Sequence, residues 1–314
     1  MNDLDKSEKI SEFNRFFKKQ SLASTYKPTF VKCLLDIGDC KDQEGKKWIT
    51  DNGNELTVDL NFIIARFLRY YHPLKFKFKL KQEATRNTIA IYDILERYKS
   101  QLGTKSVPSL KKLCSEKFSE IREITIKNDA IQKQVMPKLL NDCKIYTHDS
   151  KKITIKKEII EYMKNNKNVL TAALNNMIST YLEKCNKKFP DISTKLLDEI
   201  PRKKLDKEKF GKITALQNSC CFYCEKEFHS FEQEHFIPWN FVPQTENYNI
   251  VAACKKCNNS KNDRLSEKRF LEKIITRNKQ LDNLPVEYSE EFMSTTYENC
   301  RSEYHGVNEN LWKP

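Results

Sequence analysis

The spacing of apolar residues along the chain predicts a mainly α-helical fold. Residues 1–20 place Ile10, Phe13, Phe16 and Phe17 on one face of a helix. The same period recurs in later segments, which are 27–38, 57–71, 85–100, 107–122, 128–143, 151–164 and 169–185. Together these segments predict a helical domain over residues 1–200.

Two short segments depart from the helical period. The pair Asn52-Gly53 predicts a turn. Residues Leu74–Lys81 alternate strictly between apolar residues and lysine, which predicts a strand with its lysines on one face. We interpret this segment as an edge strand whose lysines oppose aggregation. The alternative is a ribbon that follows the phosphates of a nucleic acid.

The last third of the chain begins with a change in charge density. Residues 201–212 open with proline and are rich in charge, so we interpret them as a basic linker. They lead into a second module at residues 213–314. There Ser266 is expected to cap a helix with three inward apolar residues, Phe270, Ile274 and Ile275. Residues 285–314 are expected to hold one more helix.

Composition limits the classes of function. The 314 residues carry a net charge of +13, which favours a polyanionic partner, although a lysine-rich protein from an AT-rich genome would share this property. No run of 18 apolar residues is present, which excludes a membrane span. Six glycines and no Walker-type sequence argue against a loop that cradles phosphates.

Two Cys-x-x-Cys pairs predict a zinc site in the second module. They are Cys221/Cys224 and Cys254/Cys257, and 29 residues separate Cys224 from Cys254. Zn²⁺ prefers four tetrahedral ligands, which two such turns supply. Cys220 is an alternative to Cys221, with a less usual spacing to Cys224.

Two disulfides are the alternative to zinc. The other seven of the 11 cysteines are scattered through helical sequence, and the segment MNDLDKSEKI lacks an apolar signal core. We therefore expect a reducing, cytoplasmic compartment, where zinc is favoured over disulfides. A four-cysteine zinc site is closed to substrate, so any chemistry must lie elsewhere.

Polar residues at defined positions lie between and after these cysteines. Glu234 and His235 are adjacent, Asn249 opens an apolar run, Asn258 directly follows Cys257, and Lys261 comes three residues later. This order resembles the zinc-containing branch of the HNH endonuclease family, whose last element reads Cys-x-x-Cys-Asn-x-x-Lys. The spacing is also similar to that of the HNH domain in RNA-guided CRISPR nucleases. The resemblance covers residues 215–265.

The resemblance implies a ββα-metal fold and a role for each residue. His235 would be the general base that takes a proton from water. Glu234 and Asn258 would offer oxygen ligands to a catalytic Mg²⁺ or Mn²⁺. Asn249 would hold the loop that aims His235, and Lys261 would contact a phosphate. Many family members carry Asp in place of Glu234, so we expect altered geometry here.

The sequence therefore favours a metal-dependent DNA endonuclease, of restriction or phage-defence type. Residues Thr25–Ile37 are similar to N-terminal helical regions of HNH proteins of that type. This similarity implies that the helical domain, residues 1–200, serves target recognition or regulation. Alternatives are an RNA-cleaving toxin or effector nuclease, and a non-catalytic zinc module that binds nucleic acid. A homodimer or a partner protein of a defence system is also expected. An HNH module cuts one strand, so double-strand cutting would need two.

Overall fold

The chain divides into two compact units, Met1–Asn186 and Lys187–Pro314. The computed structural model describes residues 3–18, 22–83, 89–132, 145–200, 202–281, 288–306 and 310–314. Helices dominate these residues, and the C-terminal unit contains a β-hairpin, so the predicted mainly helical class is confirmed. Within the described ranges, no helix is long and apolar enough to cross a membrane.

The N-terminal unit combines helices with one antiparallel sheet. Its described helices are α1 (Asp3–Lys18), α2 (Tyr26–Leu35), α3 (Gln43–Lys46), α4 (Leu60–Phe76), α5 (Ala90–Arg97), α6 (Lys99–Leu102), α7 (Leu110–Cys114), α8 (Ser119–Lys127), α9 (Lys157–Asn165) and α10 (Lys167–Cys185). Its strands are β1 (Ile49–Asp51), β2 (Glu55–Asp59), β3 (Tyr146–His148) and β4 (Lys152–Lys156), in the order β1-β2-β4-β3. The predicted turn at Asn52-Gly53 is confirmed as the connection between β1 and β2, where Gly53 adopts a φ of +83°.

Helix α4 forms the centre of the N-terminal unit. It packs against α2, α5, α7 and α8. The side chain of Asp59 caps its first turn by accepting a hydrogen bond from the Asn61 backbone N–H. Its neighbours cover it on several sides, so most of its apolar residues are buried, including Phe62, Ile63, Phe67, Leu68 and Tyr71. The core of this unit is therefore built around one helix.

The sheet was not predicted from the sequence. The predicted helices 57–71 and 151–164 both begin as strands, and helix starts only at Leu60 and at Lys157. Val58 pairs with Ile153 in the register of β2 and β4, and both are completely buried. Short β-branched runs fit a strand or a helix equally well, and the presence of a partner strand decides between them.

The strand predicted at Leu74–Lys81 is wrong. Helix α4 contains Pro73 and continues through Phe76, and residues 77–81 form no strand. Phe78 and Leu80 are buried, while Lys79 adopts a φ of 53° that breaks the extended conformation. Part of the predicted segment 85–100 and most of 128–143 lie outside the described residues.

The C-terminal unit surrounds a two-stranded antiparallel sheet with short helices. The helices are α11 (Ile192–Lys195), α12 (Lys207–Leu216), α13 (Lys255–Lys261), α14 (Lys268–Asn278) and α15 (Glu290–Asn299), and α15 is followed by a π-helical turn, Cys300–His305. The strands are β5 (Glu232–His235) and β6 (Ile250–Ala253). Helix α12 occupies part of the predicted linker, and its Ile213 packs with Ile250 and Ala252 of β6.

Helix α14 agrees only in part with its prediction. The three predicted inward residues, Phe270, Ile274 and Ile275, are buried. Ser266 does not cap the helix, because the N-cap position is Glu267 and no side chain accepts a hydrogen bond there. Aromatic rings of Phe222, Tyr223 and Trp312 fill the space beside Phe270, directly or through one another.

Candidate active site and metal centre

Strand β5 directs polar side chains to two faces of the hairpin. Side chains alternate along a strand, so Glu232 and Glu234 share one face while Gln233 and His235 share the other. Glu234 pairs with Val251 and His235 with Ile250 in the antiparallel register. Both Glu234 and His235 are buried. Two neighbouring residues of the chain therefore meet different surroundings.

Asn249 fastens the chain that follows His235. Its side chain accepts a hydrogen bond from the Ile237 backbone N–H at 2.8 Å and donates one to the Ile237 carbonyl at 3.0 Å. Its own backbone carbonyl accepts from the Phe236 N–H at 2.8 Å. Because Asn249 is completely buried, these bonds are shielded from water. They hold the end of β5 against the start of β6.

Helix α13 lies against the face that carries the two glutamates. Asn258 Nδ2 donates to Glu232 Oε2 at 2.5 Å. One turn later, Lys261 Nζ donates to Glu234 Oε1 at 2.7 Å and to the His235 backbone carbonyl at 2.8 Å. Residues three apart on a helix share a face, and residues two apart on a strand share a face. Asn258 and Lys261 can therefore contact Glu232 and Glu234 in the same order along the chain.

Lys261 and Glu234 form a buried ion pair. Lys261 has 0% of its surface exposed and the Glu234 side chain only 4%. Burial raises the pKa of Glu234, and the Lys261 ammonium opposes that change. The sequence predicted that Lys261 contacts a phosphate. The structure instead places its ammonium inside the domain, where it holds Glu234 and the backbone of His235.

His235 is held as a neutral imidazole with a defined tautomer. Arg202 Nη2 lies 3.4 Å from His235 Nδ1, and a guanidinium only donates, so Nδ1 carries the lone pair. The proton is then on Nε2, which lies 3.3 Å from Thr245 Oγ1. Burial, followed by the charges of Arg202 and Lys261, lowers the pKa of His235 to about 3, and a backbone hydrogen bond with Gln244 opposes this. The imidazole is therefore unprotonated at neutral pH.

The structure brings together residues that no sequence pattern had indicated as partners. Glu232 contacts Asn258, whereas the sequence predicted that Asn258 binds the same ion as Glu234. The alternation in Glu-Gln-Glu-His already places Glu232 on the face of Glu234. No signal in the sequence indicated Arg202 or Thr245, because they lie 33 and 10 positions from His235 and neither spacing belongs to a local pattern.

Four cysteine side chains form a separate cluster that could hold a metal ion. The Sγ atoms of Cys221, Cys224, Cys254 and Cys257 all lie within 4.8 Å of one another. Tetrahedral zinc with Zn–S bonds of about 2.3 Å separates its sulfurs by about 3.8 Å. Cys224 and Cys254 are 3.9 Å apart, so the cluster fits a structural zinc. Cys220 is not part of it.

Backbone amides and helix geometry support this cluster. Cys254 is the N-cap of α13, and its Sγ accepts from the Cys257 N–H at 3.5 Å. The Cys254 N–H donates to Cys221 Sγ at 3.3 Å. Burial, followed by the neighbouring thiols, raises the pKa of Cys257. Because four thiolates repel one another at this distance, the cluster requires a cation such as Zn²⁺ for all of them to ionise.

A β-hairpin followed by a helix, with a four-cysteine cluster that fits zinc beside it, defines a ββα domain. Residues 221–272 match the model of a family described as HNH endonuclease. The C-terminal unit thus contains an HNH endonuclease domain, in agreement with the resemblance found in the sequence. Searches of the curated proteins and of the solved structures gave no match.

The zinc centre is expected to hold the C-terminal unit together. Cys257→Ser should remove bound zinc and unfold this unit, because structural zinc contributes folding free energy. The matched control is Cys220→Ser, which alters a cysteine outside the cluster. Zinc content and thermal melting by circular dichroism test this. One equivalent of zinc and an unchanged Tm in Cys257→Ser would contradict the assignment.

Removing Lys261 is expected to leave the Glu234 carboxylate buried without its cation. Lys261→Met should destabilise the C-terminal unit by about 3–5 kcal/mol, and adding Glu234→Gln should recover part of the loss. Hydrogen exchange of peptides from β5 and α13, without Mg²⁺ or Mn²⁺, measures this. Lys255→Met, at an exposed position of the same helix, is the control and should change stability by less than about 0.5 kcal/mol. Equal protection in both variants would contradict a structural role for Lys261.

Proposed function

We propose that this protein is a metal-dependent endonuclease that hydrolyses the phosphodiester bonds of DNA. The observation that carries the proposal is the neutral His235 at the end of β5, held at Nε2 by Thr245 and presenting its lone pair at Nδ1. The match to the HNH endonuclease family over residues 221–272 supports it.

His235 acts as the general base in this proposal. Its lowered pKa keeps the imidazole neutral, so a proton acceptor is present without a prior deprotonation step. Thr245 Oγ1 donates its own proton to the Lys203 carbonyl at 2.9 Å and accepts from His235 Nε2. The tautomer that carries its lone pair on Nδ1, the atom assigned to take a proton from water, is thereby maintained.

The oxygen donors on the glutamate face of β5 fit a hard divalent cation. We assign Glu234 and Asn258 as ligands of Mg²⁺ or Mn²⁺, because carboxylate and amide oxygens are the ligands that these ions prefer. When bound, the ion stabilises negative charge on the phosphate and on the departing oxygen. Asn258 is half-buried and contacts Glu232, so this second carboxylate is at hand as a further oxygen donor.

Lys261 and Asn249 act as positioning residues. Lys261 holds both the Glu234 carboxylate and the His235 carbonyl, so one ammonium sets the position of the acid and of the base. Asn249 fixes the backbone immediately after His235 through Ile237. Neither residue needs to contact substrate for its substitution to reduce activity.

DNA is the proposed substrate, and the net charge of +13 supports a polyanion. RNA contains the same phosphodiester linkage, so the cleavage assay includes it as a separate arm. A role in restriction or phage defence is proposed from the similarity of Thr25–Ile37 to such proteins. We assign target recognition or regulation to the N-terminal unit. We propose that cutting both strands requires two copies of the chain or a partner protein.

His235→Ala is expected to reduce cleavage by about 10²–10⁴-fold, because the variant lacks the proton acceptor. Supercoiled plasmid, single-stranded DNA and RNA are each incubated with Mg²⁺ or Mn²⁺, beside reactions with EDTA. The control His229→Ala changes an exposed histidine of the same domain and should cleave normally. Cleavage by His235→Ala at the unmodified rate would refute the base assignment. Faster cleavage of RNA than of either form of DNA would identify RNA as the substrate.

The metal ligands are tested by Mn²⁺ binding to the zinc-loaded protein, followed by electron paramagnetic resonance. Asn258→Ala and Glu234→Gln should each weaken Mn²⁺ binding about tenfold or more, since each removes an oxygen ligand. Glu227→Gln, at an exposed position, should bind normally. Normal binding by Glu234→Gln together with weak binding by Glu232→Gln would transfer the ligand role to Glu232.

A further inference from the structure

A short basic segment lies on the face of β5 that carries His235. We propose that this segment, Arg202–Lys204, binds the backbone phosphates of the nucleic acid, with Arg202 contacting the phosphate that is cleaved. The inference rests on the proposed nuclease function and adds how the substrate is held. It is carried by the contacts that the segment makes with β5 and with Thr245.

The backbone is held at Lys203 and at Leu205, the residue that directly follows the segment. The Gln233 side chain accepts from the Leu205 N–H at 2.8 Å and donates to the Leu205 carbonyl at 3.0 Å, as a neighbouring strand would. Thr245 Oγ1 donates to the Lys203 carbonyl at 2.9 Å. Gln233 and His235 share one face of β5, so the same face that presents the base also holds the basic segment.

The side chains of the segment remain cationic and accessible. Arg202, Lys203 and Lys204 are all exposed, and none forms an ion pair within the described part of the chain. The two acidic residues that follow the segment pair with lysines of α12, Asp206 with Lys209 and Glu208 with Lys212. Three adjacent cations with a fixed backbone provide a surface for phosphates.

The guanidinium of Arg202 lies next to the ring nitrogen of His235 that carries the lone pair. It is 3.4 Å from His235 Nδ1 and 5.9 Å from the centre of the Trp239 ring. A long hydrogen bond to a neutral imidazole is weaker than a bidentate, charge-assisted pair with a phosphate. A bound phosphate therefore draws Arg202 away from Nδ1. The lone pair of His235 then becomes available to the attacking water.

Cleavage kinetics and salt-dependent binding test the proposal on the full-length, zinc-loaded protein. Arg202→Ala should lower kcat about 10²-fold with an unchanged Tm, and Arg202→Lys should restore only part, because an ammonium lacks the paired donors. The double variant Lys203→Ala/Lys204→Ala should depend less on salt. In a plot of the log of the association constant for a DNA duplex against log salt concentration, its slope should be less steep by about 1.8. Binding is measured by fluorescence anisotropy without Mg²⁺ or Mn²⁺.

The control pair Lys209→Ala/Lys212→Ala removes the same charge from exposed positions of α12 and should keep the slope of the unmodified protein. An equal slope in the two double variants, or normal cleavage by Arg202→Ala, would overturn the proposal. If the unmodified protein cleaves nothing but the slopes differ as expected, the nuclease function fails while phosphate binding by this segment stands. Binding to neither DNA nor RNA overturns both.

Discussion

The clustering of four cysteine thiols is the constraint on which the rest of the C-terminal unit depends. Strands β5 and β6 have only four residues each, and a two-stranded sheet of that size is marginal in water. The thiols join the segment before β5 to the junction of β6 and α13. Cys254 is at once a member of the cluster and the N-cap of α13. The centre therefore determines where the helix begins and which residues it presents to the hairpin.

The orientation of α13 about its axis decides which side chains meet the glutamates of β5, and this separates the candidate metal ligand Glu234 from the candidate base His235. Asn258 and Lys261 face the glutamates of β5, while His235 points to the opposite face and meets Arg202 and Thr245. Lys261 joins the two faces, because it bonds the Glu234 side chain and the His235 backbone. Burying such a pair costs desolvation free energy, and an apolar pair of similar volume would serve stability as well. We infer that the pair is kept for the position it imposes on neighbouring residues.

The electrostatics of His235 follow from the same arrangement. Burial and two nearby cations lower the pKa of the imidazole, while Thr245 selects the tautomer. A base of such low pKa is weak until its surroundings change. In the proposed complex, a substrate phosphate brings negative charge next to Arg202, and this charge raises the pKa of the base. In the free protein, His235 is therefore neutral and its Nδ1 atom is covered by Arg202.

The sequence by itself determined the four clustered cysteines, the HNH segment and the mainly helical class, because these depend on local spacing and periodicity. It did not determine the sheet of the N-terminal unit or the end of α4. Tertiary structure decided that Lys261 lies inside the domain, that Asn258 contacts Glu232, and that Arg202 covers His235. These contacts join residues 26 to 33 positions apart in the chain. No local pattern encodes them, since they arise only when the hairpin, the helix and the preceding segment pack together.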